Sequence, residues 1–304
     1  MKGGESVRRS IATTVLALAC IAPAAVQQRL LLPNKEGSIK FLVIGDSGTG
    51  GSDQLRVANR IAEVRKIFPF EFAIMVGDNM YGGEGPTDFQ RKFEEPYKPL
   101  LDGGVKFYAA LGNHDDPTQR FYKNFNMNGE RFYTFKAPKP GLDALGGARF
   151  FALDSNYMSP EQVAWLEKEL KASGSDWKIP FFHHPLYSSG EKHGADVALR
   201  EQLEPLFVKY GVDVVFAGHE HFYERLKPQK GITYFVNGSS AKLRRGNIGQ
   251  SGITAKGFDT GYAFMIVEIA GPEMHFQTIE AGGQTIDSGT ITRREVAQQT
   301  TQKK

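Results

Sequence analysis

Five apolar runs of strand length each give way, within a few residues, to aspartate, asparagine or histidine. SIKFLVIGD (38–46) ends on Asp46 and FEFAIMVGD (70–78) on Asp78. VKFYAALGNHD (105–115) reaches Asn113 and His114, WKIPFFHHP (177–185) reaches His183 and His184, and VDVVFAGHEH (212–221) reaches His219 and His221. Runs of this length suit buried strands. Helical patterns stand between them, and alternation of strand with helix predicts an α/β sheet. In such sheets the functional crevice lies beyond the carboxyl ends of the strands. Residues far apart in sequence are therefore expected at one rim.

The helices are legible by period and caps. DQLRVANRIAEVRKIF (53–68) carries apolar Leu55, Ala58, Ile61, Ala62 and Val64, with Ser52 and Asp53 as candidate caps. FQRKFEEPYKPLL (89–101) predicts a short helix broken by Pro96. In SPEQVAWLEKELKAS (159–173), Ser159 can cap, Pro160 suits the first helical position and Gln162 completes a capping box. ADVALREQLEPLFVKYG (195–211) stops at Gly211. ARFFALDS (148–155) reads as a further strand. After residue 221 the pattern becomes β-rich: GITYFVNGS, YAFMIVEIA, MHFQTIEA and QTIDSGTIT read as strands between glycine turns. We expect one α/β domain over residues 38–292 and a polar tail over 293–304.

Composition supports a globular chain. Of 304 residues, 40% are hydrophobic and 23% charged, enough for a substantial core. The formal net charge of +3 does not argue for nucleic acid or an anionic membrane as the main partner. Arg244-Arg245 and Lys303-Lys304 read as solvated surface. The N-terminus differs in kind. Arg8-Arg9 precede an uncharged run, IATTVLALACIAPAA (11–25), the layout of a secretory signal peptide with cleavage near Ala24 or Ala25. The run is short for a membrane span. The chain's one cysteine, Cys20, lies inside it, so a processed chain would contain neither thiol nor disulfide.

Any metal would then be held by oxygen and nitrogen donors, which suit iron, zinc or manganese. Each motif alone has an ordinary reading: GDSG and GNHD are also turn sequences. The histidines of GHEH would face the same way if extended. It is the whole series, at successive strand ends, that points to a metal site. Seven or more such donors exceed one tetrahedral ion and fit two ions sharing a carboxylate.

The series GDSG (45–48), GDNMY (77–81), GNHD (112–115), HHP (183–185) and GHEH (218–221) resembles the calcineurin-like metallophosphoesterase superfamily. Tyr81 of GDNMY, and His193 after HHP, resemble the purple acid phosphatases, and the length is similar to the small tartrate-resistant type. The resemblance runs from about residue 38 to 285 and includes NYMSPEQVAWLEKEL. It implies a four-layer α/β/β/α sandwich of two mixed β-sheets flanked by helices. It implies ferric iron, Fe(III), at a first site held by Asp46, Asp78, Tyr81 and His221, with Asp78 bridging. Asn113, His183 and His219 would complete a second site for divalent iron, zinc or manganese. His114 and His193 would be catalytic, contacting phosphate or the leaving oxygen. His184 stands where the family often has tyrosine, which implies a supporting or packing role.

The implied activity is hydrolysis of small phosphate monoesters by direct attack of a metal-bound hydroxide, in a secreted or periplasmic acid phosphatase. A phosphodiesterase or nucleotidase with non-ferric ions is the sister reading, against which Tyr81 speaks. An inactive binding scaffold is a third, against which the complete ligand set speaks. Asn237-Gly-Ser is a glycosylation sequon or simply a turn. Oligomeric state is not legible in the sequence.

Overall fold

The computed structural model describes Met1 and residues 29–137, 147–174 and 176–294. Apart from Met1, the leader expected over 1–25 lies outside the described residues, as does the tail from residue 295 onward. In chain order the elements are β1 (Ile39–Ile44), α1 (Ser52–Ile67), β2 (Phe72–Val76), α2 (Pro86–Phe89), a π turn (Gln90–Glu94), α3 (Lys98–Asp102), β3 (Lys106–Ala110), β4 (Tyr133–Lys136) and β5 (Ala148–Ala152). There follow α4 (Pro160–Ala172), β6 (Trp177–Phe181), α5 (Val197–Tyr210), β7 (Val214–Ala217), β8 (Tyr223–Leu226), β9 (Thr233–Asn237), β10 (Thr254–Phe258), β11 (Ala263–Ala270), β12 (Glu273–Glu280) and β13 (Thr285–Thr292).

The strands form two mixed sheets. The first runs β13-β12-β11-β1-β2-β3, the second β10-β8-β9-β7-β6-β5-β4. β1, β2 and β3 pair in parallel, as do β5, β6, β7 and β9, while the outer strands add antiparallel. Strand pleat then builds the layers. Phe41 and Val43 point into the core between the sheets, while Leu42 and Ile44 point to the other face of the first sheet. There they meet Val57, Ala58, Ile61 and Val64 of α1. Leu166 and Leu170 of α4, with Leu199, Leu203 and Phe207 of α5, cover the second sheet. The result is the expected four-layer α/β/β/α sandwich in a single domain. Among the described residues no helix is long and apolar enough to cross a membrane.

Some local expectations need correction. The N-cap of α1 is Gly51, and Ser52 and Asp53 are already helical. Its buried face includes Gln54 in place of Leu55, which is 44% exposed. Gln54 is buried because its amide is satisfied: Oε1 accepts from Gly50 N at 2.7 Å and Nε2 donates to Lys92 O. The segment does break at Pro96, but the helical stretch before it is α2 continued by a π turn, with α3 after the break. Ser159 does cap α4, accepting from Gln162 N at 3.1 Å. The Gln162 side chain, however, turns away to bond Asp154 N and O, so the box is half formed. β4, β8 and β10 were not expected.

The inter-sheet core is aromatic. Phe150 stacks on Phe135 at 4.9 Å and meets Phe41 and Phe72 edge-on at 5.2 and 5.3 Å. Phe150→Ala should therefore cost about 3–5 kcal/mol. Urea unfolding checks this, and a loss under ~1 kcal/mol would contradict the packing described.

Candidate metal centre

The rim is built by strand ends. Asp46, Asp78, His183 and His219 each lie two residues beyond β1, β2, β6 and β7, and Asn113 lies three beyond β3. Both sheets thus feed one edge. The turns there are tight. Asp46, Asp78 and His219 hold φ of 52°, 50° and 70°, the left-handed region that side chains rarely adopt. Cross-links between turns maintain it: Asp46 N donates to Gly77 O at 3.0 Å, Ser47 N to Asp78 O at 3.2 Å, and Gly218 N to His183 O at 2.9 Å. A Cβ at Gly112 would come within 2.2 Å of Asp78 N, so glycine is required for this approach. The left-handed turn at His219 keeps GHEH from being extended, and its two imidazoles enter different clusters.

Donor atoms of Asp46, Asp78 and His221 lie within 4.8 Å of one another. The Tyr81 hydroxyl sits among them, 2.7 Å from Asp78 Oδ2, 3.1 Å from Asp46 Oδ1 and 3.4 Å from His221 Nε2. His183, His184 and His219 form a second cluster of the same kind. His183 Nε2 is 3.1 Å from His219 Nδ1 and 3.0 Å from Asn113 Oδ1. Asp78 touches both groups, since its Oδ1 is 3.3 Å from His183 Nε2. His114 donates its amide to that same oxygen at 3.0 Å, with its exposed ring 4.8 Å from Tyr81. His193, also exposed, lies 4.3 Å ring to ring from His219. All nine expected site residues therefore converge. His184 sits beside them, with Ser155 Oγ on its Nδ1 at 2.9 Å and its ring 4.5 Å from His219.

The electrostatics fit a cation. Burial, then the Asp78 charge, raises the Asp46 carboxyl well above its ordinary range. Burial, then Asp46 and Asp78, likewise holds the Tyr81 phenol far above its ordinary pKa. Positive charge among these groups is what would reverse both shifts. The imidazoles are depressed: His183 well below 6.5 by burial and then His184, His219 to about 2 by burial and then His183, and His221 to about 4 by burial and then Arg244 and Lys242. Neutral imidazole is the ligating form. His183 Nδ1 lies 3.0 Å from Val76 O, a carbonyl that can only accept, so Nδ1 carries the proton. Its Nε2 lone pair then faces Asn113 Oδ1 and Asp78 Oδ1, acceptors converging on acceptors. A metal ion satisfies that arrangement.

Sequence reasoning missed the residues that hold the loops. Asp115, the last residue of GNHD, is buried and accepts from Gly112 N, Asn79 N, Met80 N and Gln119 Nε2 at 2.7–3.0 Å. It ties the Asn113 turn to the Asp78 turn, and burial pushes its carboxyl up to about 8. Glu220, inside GHEH, is fully buried and accepts from His193 N at 3.0 Å, Gly194 N at 2.6 Å and Asn247 Nδ2 at 3.0 Å. An acidic residue adjoining a ligand position in the same motif was the available signal. Asn237 is buried at the end of β9, which speaks against glycosylation of its sequon and makes it a strand residue rather than a turn.

Residues 39–223 match the family described as Calcineurin-like phosphoesterase. Tartrate-resistant acid phosphatase type 5 of Homo sapiens is 27% identical over 88% of this chain and 97% of its own length. Among solved structures, GAP50, the anchor in the inner membrane complex of Plasmodium, superposes with a TM-score of 0.74 at 17% identity, covering 86% of this chain and 90% of that one. A purple acid phosphatase from yellow lupin seeds, Lupinus luteus, gives 0.66 at 20% identity, covering 86% of this chain and 55% of that one.

The depressed imidazoles set a pH dependence for the metal-free protein. A folded-state pKa below the unfolded value gives stability that is present above about 6.5 and lost as pH falls toward the folded value. For His221 that window runs down to about 4, and for His219 to about 2. Asp46 and Asp115, raised on folding, act in the opposite sense but are common to both proteins compared here. The urea midpoint of the metal-stripped native chain should fall more steeply from pH 7 to 4 than that of the His219→Asn, His221→Asn double variant. Equal slopes would contradict the assignment.

Proposed function

The chain belongs to the calcineurin-like phosphoesterase family, hydrolases acting on phosphoric esters, and on that premise we propose that it is a binuclear metal-dependent acid phosphatase of the purple type, acting on small phosphate monoesters. The observation that carries this reading is the Tyr81 hydroxyl seated between the Asp46 and Asp78 carboxylates beside His221. A phenol in that position is a hard anionic donor once deprotonated. Asp46, Asp78, Tyr81 and His221 would hold ferric iron, and Asp78 would be shared. Asn113, His183 and His219, a neutral set, would hold divalent iron, zinc or manganese. When bound, the two ions supply the positive charge that clamps phosphate and acidifies water at low pH.

The chain's own residues account for the remaining chemistry. His114 and His193 open to solvent beside Tyr81 and His219, where they would meet the phosphoryl oxygens and the ester oxygen. Water adds to phosphorus, the ester P–O bond breaks, and the departing alkoxide takes a proton from one of these imidazoles. Burial holds the His193 pKa below its ordinary value, so its protonated share grows only in acid. That suits an acid-range enzyme. Glu220 fixes the backbone that carries His193. The N-terminal leader layout supports a secreted or periplasmic location.

Metal analysis should find two ions per chain, one of them iron, with a visible absorption band that Tyr81→Phe abolishes. Asn113→Ala and His114→Ala should each lower hydrolysis of 4-nitrophenyl phosphate by about 100-fold or more. A colourless, iron-free and fully active preparation would refute the purple assignment. Unchanged activity in both alanine variants would refute the site.

A further inference from the structure

Tyr81 is held from behind by its main chain. Its amide donates to Gly48 O at 2.9 Å, so the Asp46 turn fixes one side of the residue. Its carbonyl accepts from Lys92 Nζ at 2.8 Å. The same ammonium donates to Gly83 O and pairs with Asp88 Oδ1 at 2.8 Å. An ammonium has three protons, and these three acceptors use them all. Lysine is almost never buried unless paired, because it can leave its charge in water. Lys92 is only 2% exposed, and two of its three partners are carbonyls of the Tyr81 turn.

The sequence explains why Lys92 faces inward. In a regular helix the Lys92 carbonyl would accept from the amide of residue 96, which is Pro96 and has none. The chain forms a π turn there, with Glu95 N on Gln90 O at 2.8 Å. Gln54 Nε2 of α1 takes the carbonyl that Pro96 leaves free. The other end of that amide accepts from Gly50 N at 2.7 Å, in the loop that follows Asp46. Gly50 has φ of 67°, and a Cβ on it would lie 3.1 Å from Lys92 Cγ. The Asp46 loop therefore rests on the Lys92 stem. A π turn within a helical segment often marks a functional position. A buried path thus runs from the Asp46 loop through Gln54 and Lys92 to the Tyr81 main chain, and it uses no donor atom of the candidate metal centre.

We propose that Lys92 is a positioning residue for Tyr81. By holding the Tyr81 and Gly83 carbonyls it fixes the phenol between Asp46 and Asp78, and Gln54 holds Lys92 in turn. The proposal rests on the purple phosphatase reading and deepens it, since it assigns the placement of the proposed ferric ligand to a residue outside the donor set. A tyrosine has only two side-chain torsions, so the place of its oxygen follows closely from the main chain that Lys92 holds.

The test compares ferric iron affinity and the visible band in the native protein, Lys92→Met and Leu203→Ala. Methionine keeps an unbranched stem against Gly50 and lacks every donor. Lys92→Met should bind ferric iron about tenfold more weakly against a competing chelator, and the band of the iron still bound should move from its native wavelength. Leu203→Ala opens the core under α5, on the far layer from α1, and should lower stability while leaving both readings native. Gln54→Met leaves the ammonium in place and should weaken binding about threefold. It carries the test if Lys92→Met does not fold. Native affinity with a native band in Lys92→Met, or in Gln54→Met where that is the variant tested, overturns the proposal. So does an equal loss in Leu203→Ala, which would mark a general effect of stability. If the native protein binds no iron, the purple reading fails, and crystals of the metal-free proteins judge the positioning. The Tyr81 hydroxyl, 2.7 Å from Asp78 Oδ2 in the native chain, should leave hydrogen-bonding range in the same variant. Its persistence there refutes the positioning role.

Discussion

Two carboxylates, Asp46 and Asp78, lie buried side by side at the meeting of two sheets, and the rest of the rim is arranged around that repulsion. Left alone, such a pair costs free energy, as the raised Asp46 carboxyl shows. The backbone accepts left-handed geometry at both residues to bring them together. Tyr81 fills the gap between them, His183 reaches Asp78 from the second sheet, and His221 reaches Asp46. Arrangements this unfavourable persist where a ligand relieves them. Here the relieving ligand is positive charge.

The sandwich exists, in functional terms, to make that meeting rigid. Asp46, Asp78 and Asn113 belong to the first sheet, His183 and His219 to the second. Neither sheet alone carries a complete donor set. The aromatic core between them, with Phe41, Phe72 and Phe150 in mutual contact, fixes the distance and angle at which the two sets face each other. A close-packed interior transmits position with little slack. The strain at the rim is therefore supported by packing well away from it.

The inner strands were legible in the sequence because they are buried on both faces and read as unbroken apolar runs. β8 and β10 were not, since YERL and TAKGF mix polar and apolar residues and lie toward one edge of the second sheet. The face of α1 was misjudged at Leu55 because burial of Gln54 depends on partners in other segments. The same reason hid Asp115 and Glu220. Their partners are mostly main-chain amides of distant loops, which no periodicity reports. His219 and His221 show the reverse case: their residue types were legible, but their separation into two clusters depends on one left-handed residue.

The fold by itself does not decide what the chain does. A Plasmodium anchor and a lupin phosphatase both superpose on it, and one architecture can host unrelated roles. The evidence for activity lies in the rim. A scaffold freed from catalysis has no reason to keep a phenol between two buried carboxylates, with His183, His219 and His221 around them and His114 and His193 against their rings. Nor would it need Glu220, which spends a fully buried charge on holding the His193 loop and the segment after β9 in register. Burying an ion is costly unless every lone pair is used. That Glu220 uses them on both segments ties the order of the mouth to the order of the proposed metal ligands beside it, His219 and His221.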